Sequence, residues 1–481
     1  MLDKVFLKIR AHAGWMVIAA VMLVSLSLRL PHILVQRLWP DEALYAFIAR
    51  EFLKDPLSLF SLTAYGDHLP FFPLVLSAGG FFAPGLAGFR FITVLINVAG
   101  LGLTYALGRR VGGKAVGLLA AIFLATNVVY YQQADMIHSD GLFTLVYLIL
   151  AWALLKDSGS RHVAVILAAL GVSVCKWYGI FWVMPVLAGY YAFAFQSRLM
   201  ARWKDLGQIM AWVVIPLMPY LIFKVFYIHG QGGIATFHPL PWWTYFHELP
   251  VLVGGKWHLV LWVAGIGWLW RLAPRERVLM YVMAFSGLLL MSCVAEKDNR
   301  YLLPMIPFWG IIFAVGVKES VRFVFRGRLF KLALKAVILM ASVLMTMAFL
   351  TRKDWAHLEN SYTGFVEAGH IIEQVENGKG LILAGSPRQV RYAVSGVDAD
   401  RVRHIPMKRE DFLSYLAKAG EQVILEVDAW DWREQPDWIY PMRPAKVGFL
   451  ENQGFQIQGI VQYPVRGKMK EVVYVYVRPE R

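Results

Sequence analysis

Cysteine is nearly missing from this 481-residue chain. Cys175 and Cys293 both sit inside apolar runs, which excludes a disulfide framework and a cysteine-based zinc site. Charge is scarce as well: 17% of residues are charged against 58% hydrophobic, with a mean hydropathy of +0.51, which excludes an ordinary soluble globular chain. No phosphate loop or dinucleotide fingerprint occurs, and Gly385-Ser386-Pro387, although it follows a strand-like run, matches neither. What is present is a multi-span membrane protein. Its formal charge of +15 is unevenly placed, since residues 1–350 carry 30 Lys and Arg against 15 Asp and Glu, whereas 351–481 carry 18 of each. The excess therefore reports membrane topology, and no nucleic-acid partner is expected.

A helix needs about 20 apolar residues to cross the hydrocarbon. By that measure spans are expected near 14–34, 88–108, 115–131, 140–155, 162–176, 178–195, 207–228, 257–271, 277–295, 301–317 and 331–350, eleven in all. The first, with Lys4, Lys8 and Arg10 before it, reads as a retained signal anchor. Residues 70–84 are apolar but broken by Pro70, Pro73, Gly79, Gly80 and Pro84, as in a short or re-entrant element. Alternate connections collect the cations, among them Arg109, Arg110, Arg198, Arg202, Arg271 and Arg275, and are assigned to the cytoplasm together with the N-terminus. The other connections collect Asp41, Glu42, Asp67, Asp135, Asp140, Glu248, Glu296 and Asp298. That side, and with it the C-terminal segment, faces the periplasm or the exterior of a plasma (inner) membrane. The loop 228–256 adds His229, His238, His247 and several aromatics, which suit an interfacial belt better than a metal site.

From Thr351 the composition becomes that of a soluble domain. Helical patterning near 363–377, strand-like runs at 380–385 and 422–427, and two further strand candidates near 455–463 and 471–477 predict a small α/β domain. The expected architecture is thus an α-helical polytopic membrane module over 1–350 and an extracytoplasmic α/β domain over 351–481.

The working centre is placed at Leu38-Trp39-Pro40-Asp41-Glu42, two adjacent carboxylates where the first span leaves the lipid. Leu44, Phe47, Ile48 and Phe52 follow at helical spacing, as for a helix in the headgroup layer. An acid after proline is also a common helix N-cap, and that plainer reading stands beside the catalytic one. Ionisable groups in spans cost about 2.5–3.5 kcal/mol at a helix centre, so those near the outer face need a reason. They are Asp41, Glu42, Asp67, His68, Arg90, Asp135, His138, Asp140, Lys176, Lys297, Asp298 and Arg300. Each has an ordinary role available: Asp140 as a cap, Lys176 snorkelling, Arg300 paired with Glu296 or Asp298. Together, several cations suit a phosphate and a carboxylate among them suits proton abstraction. A sugar on a lipid phosphate would use both, because its leaving phosphate, with a second pKa of about 6, departs without the acid that glycoside cleavage generally requires.

These motifs resemble, in order, those of the GT-C glycosyltransferases, in particular the protein O-mannosyltransferases and lipid A aminoarabinose transferases. The acidic pair with Ala43-Leu44-Tyr45-Ala46-Phe47 resembles their first external loop, and His68-Leu69-Pro70-Phe71 their basic-residue-plus-proline motif, with one proline where the family usually shows two. Phe89-Arg90-Phe91 resembles the arginine opening their second span, Ala134-Asp135 to Ser139-Asp140-Gly141 their acidic segment, Cys175-Lys176-Trp177-Tyr178-Gly179 their lysine-glycine turn, and Arg300-Tyr301-Leu302-Leu303-Pro304 their late arginine-tyrosine-proline motif. The series covers about 35–320, and residues beyond 351 have no clear counterpart.

The resemblance implies inverting transfer of a sugar from a polyprenyl-phosphate donor to a hydroxyl of a protein, lipid or glycan at the outer face. It implies Asp41 as base with Glu42 orienting it or serving instead, Asp140 or Asp135 as a second acid, and His68, Arg90, Lys176 and Arg300 on the donor phosphate, with His138 and Tyr301 nearby. No obligatory metal is expected, although Asp41, Asp135, His138 and Asp140 offer ligands for a divalent ion. The rival readings are a transporter or flippase of lipid-linked sugars, which would place charges at mid-membrane and show repeats not seen here, and a non-catalytic anchor for the C-terminal domain.

Overall fold

The structure is a computed structural model, and it describes residues 2–34, 37–58, 70–83, 85–134, 136–156, 161–176, 178–194, 199–231, 241–293, 298–350, 362–394, 397–430, 435–465 and 468–480. The helices in chain order are α1 (Leu2–Ile33), α2 (Pro40–Lys54), α3 (Phe71–Ser77), α4 (Leu86–Gly112), α5 (Lys114–Thr126), α6 (Val128–Gln132), α7 (Ser139–Leu155), α8 (Arg161–Cys175), α9 (Gly179–Phe193) and α10 (Leu199–Gln231). They continue with α11 (Thr244–Leu252), α12 (Lys256–Trp268), α13 (Pro274–Ser292), α14 (Ile306–Val324), α15 (Gly327–Leu350), α16 (Phe365–Val375), α17 (Pro387–Ala393), α18 (Arg409–Lys418) and α19 (Pro444–Asn452). Five strands, β1 (Leu381–Ala384), β2 (Val402–His404), β3 (Val423–Asp428), β4 (Gln456–Val465) and β5 (Lys468–Arg478), complete the C-terminal part.

The chain forms two compact units. One comprises Met1–Pro31, Leu59–Ala83 and Gly88–Thr351; the other joins His32–Ser58 and Pro84–Ala87 to Arg352–Arg481. Among the first unit's described residues, three helices are long and apolar enough to cross a membrane: Gly14–Pro31 inside α1, Leu86–Gly112, and Asn299–Val324, which runs a 3-10 turn into α14. α11 and the stretch Lys256–Arg271 meet that standard only as a pair and bend by 101°. The bend falls at Gly254 and Gly255, whose φ of +95° and +131° a side chain would disfavour. α7, α8 and α9 fall on expected spans but hold 17, 15 and 15 residues, about 22–26 Å of helix against a hydrocarbon core of about 30 Å. Length and composition therefore establish three or four spans among the described residues, fewer than the eleven expected. Residues 71–81 form a short helix and a 3-10 turn, in line with the short element read from the prolines.

Small residues set the closest helix contacts of this unit. A Cβ on Gly316 of α14 would lie 2.0 Å from the carbonyl oxygen of Leu261, and one on Gly265 of α12 would lie 2.1 Å from that of Ile312. The backbones of α12 and α14 thus touch through two glycines, the packing that membrane helices use when no hydrophobic force separates lipid from protein.

The second unit is built on a five-stranded sheet of order β2-β1-β3-β5-β4. β1 is parallel to β2 and β3, while β5 is antiparallel to β3 and β4. Both faces are covered. Ile382, Ala384, Ile424, Val473 and Val475 pack with Phe365, Ile372 and Val390 of α16 and α17, and Leu381, Leu383, Leu425 and Tyr476 pack with Phe412, Leu416 and Leu450 of α18 and α19. Two-sided burial explains why β1 reads as an unbroken apolar run, Leu381-Ile382-Leu383-Ala384. The expected strand-like runs of the C-terminal segment appear as β1, β3, β4 and β5, with β2 in addition, and the compact unit differs from the expected 351–481 in also taking in His32–Ser58 and Pro84–Ala87.

α2 departs from the headgroup-layer reading. Its residues from Glu42 to Ala49 are all buried, it packs along α17, and Leu38 and Ala43 belong to the same apolar cluster as β1 and β3. Alanines at positions 43, 46 and 49 widen the buried face beyond the leucine, phenylalanine and isoleucine stripe, so the helix enters a protein core.

A polar knot closes the ends of β1 and β3. Ser386 donates its hydroxyl to Asp428 at 2.7 Å and its amide to Glu426 at 3.3 Å. Burial, and then the Asp428 charge beside it, push the Glu426 carboxyl well above the usual carboxylate range. The folded state therefore keeps a proton that the unfolded chain sheds, so stability is full below about pH 4.3, the ordinary glutamate value, and falls as pH rises from there toward the folded value.

Two expectations follow from this packing. Gly316→Val should lower the thermal unfolding midpoint in detergent, by an amount corresponding to about 1–3 kcal/mol of overpacking; an unchanged midpoint would contradict the backbone contact. Glu426→Gln, which has no proton to lose, should slow hydrogen exchange in β1, β3 and β5 relative to wild type at pH 8 and much less at pH 4. Equal effects at both pH values would refute the protonated carboxyl.

Candidate active site

In the first unit the site starts at two helix ends. Asp140 lies in the first turn of α7, where the helix dipole favours an anion, and Lys176 follows the C-terminus of α8, where it favours a cation. The two meet at 2.5 Å, with the Asp140 side chain 3% and the Lys176 side chain 12% exposed. The turn after Lys176 is pinned: the Gly179 amide donates to the Lys176 carbonyl at 2.8 Å, and a Cβ on Gly179 would sit 2.3 Å from the Val172 carbonyl oxygen. α9 can start there only because residue 179 is glycine.

The Lys176 ammonium also lies 5.3 Å from the ring centre of Tyr178 and 5.5 Å from that of Tyr301. On the same Tyr301 ring stands Arg300, its guanidinium carbon 5.5 Å from the centroid. Arg300 is held by Asp298, which accepts its backbone amide and pairs with its Nε, both at 2.9 Å. Tyr245 of α11 braces that turn by donating its hydroxyl to the Asp298 carbonyl at 3.0 Å. Four residues expected at the site, Asp140, Lys176, Arg300 and Tyr301, thus gather in one aromatic-lined cluster, although up to 161 positions separate them. Asp298, Tyr178 and Tyr245 join it. Asp298 was expected only as a partner for Arg300, and the tyrosines carried no charge to mark them.

Nearby elements hold the other expected residues of this unit. His138, buried at the N-cap of α7, has Nδ1 2.6 Å from the Gln133 side-chain oxygen. Arg90 is 1% exposed in the first turns of α4. Lower on α4, Asn97 donates to the Ala134 carbonyl at 3.3 Å, and a Cβ on Gly141 would meet the Asn97 side chain at 2.7 Å, so α4 abuts the start of α7. His68 and Asp135 lie outside the described residues, as do Asp67, Glu296, Lys297 and His238. Among the described residues no three His, Cys, Asp or Glu side chains cluster as a metal site.

The acidic pair belongs to the second unit, and its two members differ. Glu42 is turned inward with 0% exposure: it accepts the Trp39 amide at 3.3 Å and faces Arg37 at 4.0 Å. That is the work of a residue in the third position of a helix, capping the free amide before it. Asp41 is 22% exposed and pairs with Arg388 of α17 at 3.3 Å. Nothing in the sequence links residues 41 and 388, so this partner was not foreseen.

No protein-family model matches the chain, and no curated protein is detectably similar in sequence. Solved structures are. The apo crystal structure of ArnT from Cupriavidus metallidurans matches with a TM-score of 0.64 at 17% identity, over 97% of this chain and 98% of that one. The same protein bound to undecaprenyl phosphate matches with a TM-score of 0.63 at 16% identity over the same shares. The arabinofuranosyltransferase AftD from Mycobacteria matches with 0.55 at 14% identity, over 96% of this chain but 40% of AftD. Both neighbours are GT-C glycosyltransferases, ArnT acting as a lipid A aminoarabinose transferase. The chain has their fold.

The buried ion pair gives a direct test. Asp140→Asn and Lys176→Met should each lower the unfolding midpoint, because each strands a desolvated charge, and the double variant should lose less than the sum of the two. The expected coupling is about 0.5–3 kcal/mol, read by thermal unfolding in one detergent. Strictly additive losses would show that the two side chains do not share an interaction.

Proposed function

We propose that this membrane protein is an inverting glycosyltransferase that moves a sugar from a polyprenyl-phosphate donor to an acceptor hydroxyl at the outer face of the membrane. The observation that carries the reading is the convergence of Lys176 and Arg300, 124 positions apart, on the single ring of Tyr301. Two cations on one aromatic surface are a receptor for an anion with an apolar or sugar-bearing neighbour. The fold shared with ArnT, which has been solved with undecaprenyl phosphate, gives that anion its chemical class. Among the residues of this cluster, Asp140 and Lys176 stand at helix ends and Arg300 in the 3-10 turn ahead of α14. That placement favours a surface reaction over a mid-membrane transport site.

In this reading Lys176 and Arg300, with Arg90 and His68, hold the donor phosphate, and Asp140 keeps Lys176 in place. Asp41 takes the proton of the acceptor hydroxyl as its oxygen attacks the anomeric carbon from the face opposite the phosphate. The bond to the phosphate oxygen breaks, the configuration inverts, and polyprenyl phosphate leaves with its charge shared by the cations, so no second acid is needed. Glu42, committed to its cap, shapes the start of α2. Eleven spans, a cytoplasmic N-terminus, a membrane module ending near residue 350 and an external C-terminal domain complete the proposal, in keeping with the charge asymmetry of the connections. A divalent ion is not required by this scheme.

The test is transfer of labelled sugar from polyprenyl-phosphate donors by the reconstituted protein. Asp41→Asn should lose about 100-fold or more in turnover while still retaining donor lipid, as seen by mass spectrometry of the purified variant. Lys176→Gln and Arg300→Gln should instead lose the donor lipid. Wild-type turnover by Asp41→Asn would remove it from the mechanism, and counterflow of labelled lipid-linked sugar without product would replace the enzyme with a transporter.

A further inference from the structure

Asp41 is enclosed by a closed circuit of contacts inside the second unit. Three positions before it, the Leu38 amide donates to the Tyr362 carbonyl at 2.9 Å, and the ring of Trp39, two positions before it, lies 4.6 Å from that of Tyr362. Tyr362 has a φ of +55°, a left-handed conformation that a residue with a bulky side chain adopts only when its surroundings enforce it. Its ring stacks on Trp430 at 6.1 Å. The Trp430 indole donates to the Thr363 carbonyl at 2.8 Å, and its amide donates to Asp428 at 2.7 Å. The other oxygen of Asp428 accepts the Ser386 hydroxyl, and Ser386 is the N-cap of α17. Two residues on, Arg388 returns to Asp41.

The far end of α2 is fixed to the same helix. Arg50 donates to the carbonyls of Tyr392 at 2.7 Å and Arg391 at 3.3 Å, the last turn of α17, and its guanidinium lies 5.2 Å from the centre of the Tyr392 ring. α2 therefore has two anchors on α17, one at each end, plus the apolar contact of Leu38 and Ala43 between them and the sheet.

We propose that Arg388 is a positioning residue for Asp41: it aims the carboxylate and keeps it ionised, which makes α17 of the C-terminal domain part of the transferase machinery. The proposal rests on the reading of Asp41 as the base. A base must be ionised before the acceptor arrives, and a guanidinium within 4 Å of a carboxylate favours the ionised form. Other charged and titratable groups of the two helices have partners of their own: Glu42 has Arg37 and the Trp39 amide, Arg391 the Val402 carbonyl, Glu51 Lys54 and Arg50, and Tyr392 the Arg50 guanidinium, while Tyr45 of α2 is buried. Arg388 is a cation that this unit directs at Asp41 from α17. The fork geometry of arginine also fixes direction, which a lysine ammonium would not do.

The experiment compares wild type, Arg388→Gln and Arg388→Lys in the full-length reconstituted protein, with two readouts. In the first, pH profiles of sugar transfer should show the acidic limb of kcat moved up by about half a pH unit in Arg388→Gln, the size expected for a partly exposed pair. Its kcat near neutrality should fall about tenfold through misplacement of the base, with the donor KM within about twofold of wild type. Arg388→Lys, keeping the charge without the fork, should hold the limb near its wild-type position and recover part of kcat. The second readout needs no turnover: a carbodiimide labels only protonated carboxyls, so labelling of the peptide holding Asp41 should persist to higher pH in Arg388→Gln than in wild type. Unshifted labelling together with an unshifted kcat limb would overturn the proposal. If wild type transfers sugar from no polyprenyl-phosphate donor, the proposed function fails, and the labelling profiles still decide whether Arg388 holds Asp41 ionised. Should Arg388→Gln fail to fold, Arg388→Lys decides by kcat alone, which loss of the fork must lower while the limb stays in place, and a wild-type kcat in that variant would overturn the proposal.

Discussion

Desolvation governs where charge can live in this chain. A carboxylate or ammonium taken from water into an apolar surround loses several kcal/mol unless a partner replaces the water. The buried charges described here accordingly come with answers: Asp140 with Lys176, Glu42 with Arg37. Even the partly exposed Arg300 keeps Asp298 at its side. Placement at helix ends adds to the pairing, because the free amides at an N-terminus and free carbonyls at a C-terminus are ready-made partners of opposite sign. The same rule that keeps ions out of the helix middles therefore delivers them, already paired, to the rims where elements meet.

The second unit shows the other use of burial. α2 is distant in sequence from the sheet, yet Leu38 and Ala43 are as buried in its core as Ile382 or Val475. Such long-range docking carries an entropic charge for ordering the intervening chain, and apolar contact at the start of the helix with two arginine anchors along it supplies the compensation. One consequence is that Asp41 inherits the rigidity of a packed α/β domain. A carboxylate carried on rigid elements holds its direction better than one on a loop.

Much of this was legible in the sequence, and the reasons it was legible are local. Helix positions follow from apolar runs and their proline and glycine breaks: α8 and α9 fall where 162–176 and 178–195 were expected. The two-sided burial of β1 was visible as an unbroken apolar run bounded by Gly380 and Gly385. Asp140, Lys176 and Arg300 could be suspected because charge near a membrane span is expensive and invites a question, whereas Tyr301 was marked only by the resemblance of its motif. What stayed hidden is non-local. Arg388 lies in a stretch whose only signal was a failed phosphate motif, and its partner is 347 positions away. The role of Glu42 was hidden for a subtler reason: adjacent acids look interchangeable in sequence, but the first turn of a helix points residues 41 and 42 about 100° apart, so one reaches back to cap and the other reaches across to α17.

The paired state of the cluster around Tyr301 bears directly on how it could serve an anionic lipid. A buried ion pair is a weak source of stability, since the desolvation of both charges nearly cancels their attraction. That balance is a disadvantage for holding a fold together and an advantage for exchanging partners. If Lys176 stood alone, it would bear the penalty of a buried unpaired charge, and the partly exposed Arg300 a smaller one. Held by Asp140 and Asp298, each cation is kept at its post in the absence of ligand. A phosphodiester carries one negative charge, as a carboxylate does, so such an anion can share the cation without any group passing through an unpaired state. The carboxylates thus hold both cations in place, and the rings of Tyr178 and Tyr301 line the cluster around Lys176.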